Sequence, residues 1–104
     1  MMKIGVDLTK IERFKEVNKH FIERVYSDNE IQEYYMLLEE KQATFLASRW
    51  AVKEALFKAI KIKNYKEYSI MNDSSGEPYV ENHPEIKVSI SHEEGYCIAF
   101  VIVE

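Results

Sequence analysis

Asp7, Glu54 and Lys58 are the side chains of this 104-residue sequence whose types and spacing suit phosphate chemistry, with Arg49, Lys53, Ser91 and His92 as candidates to hold a phosphate. Moving a phosphoryl-type group off a pyrophosphate needs a hard cation, oxygen ligands for it, and basic side chains to meet the charge that builds up on the phosphates. Asp7 and Glu54 offer carboxylates for one Mg²⁺, an ion that takes one or two protein carboxylates and completes its shell with water and substrate phosphate. Blander readings stand beside this one. A lone Asp after a strand also serves as a turn or cap residue, and Glu54 followed four residues later by Lys58 also makes a surface ion pair.

Arg49 and Lys53 fall within an apolar arc, where a cation must snorkel, pair or hold a ligand. Ser89-Ile90-Ser91-His92 puts two hydroxyls on one strand face and an imidazole at the strand end, suited to phosphate or sugar hydroxyls, although the same pattern makes a plain polar face. No Gly-rich phosphate loop or dinucleotide fingerprint is present, so any grip on phosphate falls to side chains. His92 lacks the Cys/His company of a transition-metal site, and no acidic partner marks it as half of a Ser-His nucleophile. The single cysteine, Cys97, lies among Ile98, Ala99, Phe100 and Val101 and reads as a buried apolar side chain.

Positioning these groups takes a strand, a long helix and a sheet. Met2, Ile4 and Val6 alternate with Lys3, Gly5 and Asp7, which predicts a short strand with Asp7 at a strand-to-helix junction. Thr9 with Glu12 matches a capping box, and Ile11, Phe14, Val17 and Phe21 predict a helix beginning just after Thr9. Ser27 with Glu30 repeats the signature and opens a second helix carrying Ile31, Tyr34, Tyr35, Leu37 and Leu38, its acidic residues outward. From about Gln42 to Ile62 the absence of Gly and Pro predicts one long helix, with Val52, Leu56, Ala59 and Ile60 as its apolar arc. Tyr65 to Met71 reads as a strand, and Asn72 to Gly76 as a turn into Pro78-Tyr79-Val80. Ile86, Val88 and Ile90 alternate with polar residues, and His92 to Gly95 turns into Tyr96 to Val103, which is apolar on both faces and so expected at the sheet centre. The fold class is α+β over a single domain, residues 1–104: an N-terminal strand, three helices including one long central helix, then an antiparallel sheet.

A hydrophobic fraction of 46% beside 31% charged residues is the balance of a folded globular chain. A chain this short has little to spare for a deep cleft of its own, so a site shared between copies is expected. No apolar run approaches the roughly 18 to 20 residues that span a bilayer, and MMKIGVDL meets an Asp too early for a secretory signal, so the expected location is the cytoplasm, with no membrane partner. The net charge of −4 argues against nucleic acid as a partner. Yet Lys41, Arg49, Lys53, Lys58, Lys61, Lys63 and Lys66 stand against Glu54 alone, a basic block that wants an anionic partner.

Three motifs occur in order: Ile4-Gly5-Val6-Asp7-Leu8 with Ile11-Glu12-Arg13-Phe14, then Arg49-Trp50-Ala51-Val52-Lys53-Glu54-Ala55-Leu56-Phe57-Lys58-Ala59, then Val88-Ser89-Ile90-Ser91-His92. Together they resemble the small holo-acyl-carrier-protein synthases of the 4′-phosphopantetheinyl transferase fold. Phe21 to Ser27 and Gly76 to Tyr79 also look like the family's, so the resemblance spans nearly the whole chain. It implies transfer of 4′-phosphopantetheine from coenzyme A to a serine of apo-acyl carrier protein, by attack on the β-phosphate, with 3′,5′-ADP leaving. It implies Asp7 and Glu54 as ligands of Mg²⁺ at the coenzyme A pyrophosphate, Glu54 helping to deprotonate the serine, and Lys58 neutralising or protonating the leaving phosphate. Arg49, Lys53 and His92 match positions of coenzyme A phosphate contact and site support. The resemblance also implies a homotrimer with sites between subunits, and an acidic carrier protein docked on a basic first helix. Arg13 is the foremost docking candidate, with Lys10, Lys15, Lys19 and Arg24. One departure stands out: the family's glycine-containing stretch after the long helix is replaced by the short, glycine-free Lys61 to Lys66.

Two other functions fit the same residues. One is a non-catalytic scaffold or carrier-binding domain of the same fold, and the other is a Mg²⁺-dependent phosphohydrolase. The products separate them, since only transfer leaves a modified carrier.

Overall fold

The computed structural model describes all 104 residues. In chain order the elements are β1 (Lys3–Lys10), a 3-10 turn at Ile11–Phe14, α1 (Lys19–Val25), α2 (Asp28–Met36), α3 (Glu39–Ile60), a second 3-10 turn at Tyr65–Glu67, β2 (Ile70–Asn72), β3 (Pro78–Val80), β4 (Ile86–Glu93) and β5 (Tyr96–Val103). The α+β class and the three helices are as expected, and β5 is central in an antiparallel sheet of order β1-β5-β4. The predicted hairpin joins β2 to β3. Glu94 and Gly95 form the two-residue link from β4 to β5. Both have positive φ, 54° and 82°, as the tight primed turns of hairpins require.

The expected helix after Thr9 does not form there. β1 continues to Lys10, paired with Tyr96, and the first α-helix starts only after Asn18, whose side chain accepts from the Phe21 amide. The Thr9 hydroxyl, free to cap in the sequence reading, is spent on Asp7 Oδ2 at 2.6 Å. Asp7 therefore sits within a strand, not at a junction. Tyr65 to Met71 is mostly not strand either, because the carbonyls of Tyr65 and Tyr68 are drawn to the Lys53 ammonium instead of to a neighbouring strand. The capping box at Ser27 and Glu30 is present in full. Glu30 itself, however, is completely buried, where the acidic face of α2 was expected to be outward.

Close packing of β1 on α3 fixes where the chemistry can happen. A Cβ added at Gly5 would stand 2.0 Å from the Ala55 carbonyl oxygen, so strand and helix meet backbone to backbone and no side chain fits between them. Ala51, Val52, Ala55 and Leu56 of α3 then join Cys97, Ala99, Val101 and Val103 of β5 in the main core. A second core lies beneath α1, where Phe14, Ile22, Val25 and Tyr26 meet Phe45, Leu46 and Ala47. The far face of the sheet is uncovered: Ile4, Val6 and Leu8 of β1 lie beside Ile102, Phe100 and Ile98 of β5. Ile4 is 61% exposed and Leu8 62%.

Candidate active site

Two residues beyond the Gly5 contact, Asp7 points to the helix side of the sheet and meets Lys58, whose Nζ lies 3.2 Å from Asp7 Oδ1 and donates to the Val6 carbonyl at 3.0 Å. The expected alternative, an ion pair between Glu54 and Lys58, is absent. Lys58 turns to the strand, and Glu54 Oε1 accepts at 2.5 Å from the Tyr65 hydroxyl. Burial first, and then the bond to Glu54, pushes the Tyr65 hydroxyl above its ordinary pKa, so it remains a donor at neutral pH. The negative charges of Glu54 and, least of the causes, Asp7 add to that rise. The chain brings no cluster of three or more His, Cys, Asp or Glu side chains together. The donor set is thus two carboxylates with hydroxyls next to them, a fit for Mg²⁺ and a poor one for softer metals.

Arg49 lies elsewhere. It is 6% exposed, its guanidinium is 4.2 Å from the Phe45 ring centroid, and its terminal nitrogens reach Ser48 Oγ at 3.1 Å and Asn72 Oδ1 at 2.5 Å. Its Nε has no partner. Burial pulls the guanidinium below its ordinary pKa, against the opposing charges of Glu33 and Glu30. Arg49 shares a groove of about 540 Å³ with His92, Lys41, Thr44, Phe45 and Asn72. Glu40 also lines this groove, so the exposed His92 imidazole and Lys41 share it with a carboxylate.

Lys53 needs correcting as a phosphate contact. Its side chain is 0% exposed, 2.9 Å from Glu30 Oε1 (also 0% exposed), and it donates to the carbonyls of Tyr65 and Tyr68. All its protons are taken, so support is the role left open to it. Burial lowers its pKa more than the Glu30 charge raises it. Ser91 also stands apart. Paired with Ile98, it faces the uncovered side of the sheet, whereas His92, paired with Cys97, faces the helix side. Cys97 is buried, as expected, and burial pushes its thiol up to about 11.

Among the docking candidates, Lys10, Arg13, Lys15 and Arg24 are all exposed. Only Arg24 and Lys19 belong to α1, because Lys10 ends β1 and Arg13 lies in the 3-10 turn, with its guanidinium 5.7 Å from the Phe14 ring centroid. Sequence reasoning missed Thr9, Tyr65 and Glu30. The capping-box pattern marked Glu30 as special but not as the partner of Lys53, and nothing in the spacing links Tyr65 to Glu54.

A sequence model of the 4′-phosphopantetheinyl transferase superfamily matches residues 3–101. The chain belongs to that superfamily. Within it, the holo-acyl-carrier-protein synthase of onion yellows phytoplasma (strain OY-M) is 40% identical over 120 residues, covering 100% of this chain and 94% of that protein. The holo-acyl-carrier-protein synthase of Bacillus subtilis (strain 168) is 33% identical, covering 97% of this chain and 93% of that protein. A crystal structure of the Bacillus anthracis synthase in complex with CoA (3′,5′-ADP) superposes with a TM-score of 0.88 at 28% identity, over 100% of this chain and 98% of that one. These likenesses place the chain among the holo-acyl-carrier-protein synthases, transferases with a 4′-phosphopantetheinyl transferase fold. No helix of the chain is long and apolar enough to cross a membrane.

Proposed function

We propose that this chain moves 4′-phosphopantetheine from coenzyme A to a serine of apo-acyl carrier protein, with Mg²⁺ and with release of 3′,5′-ADP. The observation that carries the reading is the pairing of Asp7 with Lys58, one helical turn from Glu54, where β1 meets α3 in a chain that matches the synthases end to end. Asp7 and Glu54 would hold Mg²⁺, which supplies charge stabilisation at the pyrophosphate oxygens. Glu54 accepts the proton of the serine hydroxyl as the serine oxygen bonds to the β-phosphorus. The bond from that phosphorus to the bridging oxygen breaks, and Lys58, half exposed beside Asp7, meets the charge on the departing 3′,5′-ADP. The single domain of residues 1–104 carries this activity in the cytoplasm.

Coenzyme A phosphate binding is assigned to Arg49 and His92, with Lys53 beneath as support. Ser91 faces the opposite side of the sheet, away from that groove, and is not among these contacts. Arg49 and Lys58 are nine positions apart on α3, which puts them on opposite sides of the helix and about 13 Å apart along it. One copy therefore has the carboxylates on one side and the proposed phosphate contacts on another, and a neighbouring copy would bring the two halves together. The uncovered face with Ile4, Val6, Leu8, Ile98 and Phe100 is what such a neighbour would bury, and this supports a homotrimer with sites between subunits. Lys10, Arg13, Lys15 and Arg24 are the proposed contacts for an acidic carrier protein.

Intact mass of apo-acyl carrier protein after incubation with the chain, coenzyme A and Mg²⁺ tests the reading. The expected result is a gain of one phosphopantetheine that EDTA abolishes. Released ADP without a modified carrier would mean hydrolysis, and neither product would mean a scaffold.

A further inference from the structure

Tyr65 lies in the glycine-free stretch that departs from the family's pattern, and it alone sends a side chain from there to a proposed site carboxylate. Its hydroxyl is held from two directions. The backbone is tied to the buried Lys53 ammonium, which donates to the Tyr65 carbonyl at 2.9 Å. The ring packs on two aromatic side chains of α3, with centroids 5.6 Å from Trp50 and 6.5 Å from Phe57. Asn64 caps the 3-10 turn by accepting from the Lys66 amide, so the turn is fixed as well. The result is a rigid donor 2.5 Å from Glu54 Oε1.

A carboxylate with a fixed donor on one oxygen cannot rotate freely, and its second oxygen is held for whatever it binds. Hydrogen-bonded partners of metal-binding carboxylates act in this way. Asp7 has an equivalent arrangement, with Thr9 on Oδ2 and Lys58 on Oδ1. Glu54 has no lysine, so Tyr65 is its only side-chain partner. Glycine-rich backbone can cradle a phosphate through its amides, but it has no hydroxyl to offer a carboxylate.

We propose that Tyr65 is a positioning residue for Glu54, locking the carboxylate through one oxygen so that the other is aimed at the divalent cation and the serine proton. This rests on the metal-site reading above. The test uses the full chain, with coenzyme A, apo-acyl carrier protein and Mg²⁺ for kinetics, and Mn²⁺ alone as the probe of the site, its affinity read by electron paramagnetic resonance. Tyr65→Phe keeps the ring and removes only the hydroxyl. The expected result is a fall in kcat of about tenfold to hundredfold, a comparable weakening of Mn²⁺ binding, and an unchanged KM for coenzyme A. Adding Tyr65→Phe to Glu54→Gln should weaken Mn²⁺ binding no further, because the hydroxyl acts only through that carboxylate. Wild-type kcat and wild-type Mn²⁺ affinity in Tyr65→Phe would overturn the inference, as would additive losses in the double variant. Wild-type protein that neither transfers nor binds Mn²⁺ would overturn the metal-site reading itself, independently of any Tyr65 variant.

Discussion

Helix α3 carries two lysine-carboxylate pairs five residues apart, and they differ in almost everything except chemistry. Lys53 and Glu30 are 2.9 Å apart and both 0% exposed, with further bonds to the backbone of Ser27, Ile70, Tyr65 and Tyr68. Lys58 and Asp7 are 3.2 Å apart, with side chains 52% and 12% exposed. The first pair has no room for a ligand and ties α2, α3 and the start of β2 together. The second can exchange partners, since Lys58 is open to solvent and Asp7 has one oxygen on Thr9. Ion pairs of the same composition thus divide into a structural knot and a pair open to a ligand according to whether solvent can reach them.

Substitutions at six positions would break or sharpen this contrast. Asp7→Ala and Glu54→Gln should each lower metal-dependent transfer by about a thousandfold or more while urea unfolding stays close to wild type; near-normal turnover in either would remove it from the metal site. Lys53→Met should cost about 3 to 5 kcal/mol in urea unfolding, because it leaves Glu30 buried without its partner, and adding Glu30→Gln should recover part of that loss. Lys58→Ala should do the reverse, costing under about 1 kcal/mol of stability, as exposed pairs do, yet slowing transfer about a hundredfold. Arg13→Glu lies outside both pairs and should raise the KM for the carrier protein about tenfold, leave the KM for coenzyme A alone, and lose its effect at high salt.

Local pattern revealed α3, the β2-β3 hairpin and the central place of β5, because each is set by periodicity or turn chemistry within the segment itself. The stretch from Thr9 to Asn18 was not legible in that way. Its residues carry a helical spacing, but pairing with β5 up to Tyr96 and the bond from Thr9 to Asp7 decide its shape. Tyr65 to Tyr68 fails for the same reason, its carbonyls being claimed by a lysine on another element. For the proposed site, motif order singles out Asp7, Glu54 and Lys58, and a cation in an apolar arc singles out Arg49. Lys53 occupies that same arc, and only its distant partner Glu30 shows why it cannot touch substrate.

Trp50 is the only tryptophan of the chain. It lies with centroids 6.2 Å from Phe14, 5.6 Å from Phe21 and 5.6 Å from Tyr65, between the segment proposed to receive the carrier protein and the turn that reaches Glu54. Excited beyond tyrosine absorbance, its emission is a native optical reporter at the boundary of both regions. Carrier docking, ligand binding and unfolding can each be followed by fluorescence without attaching a dye.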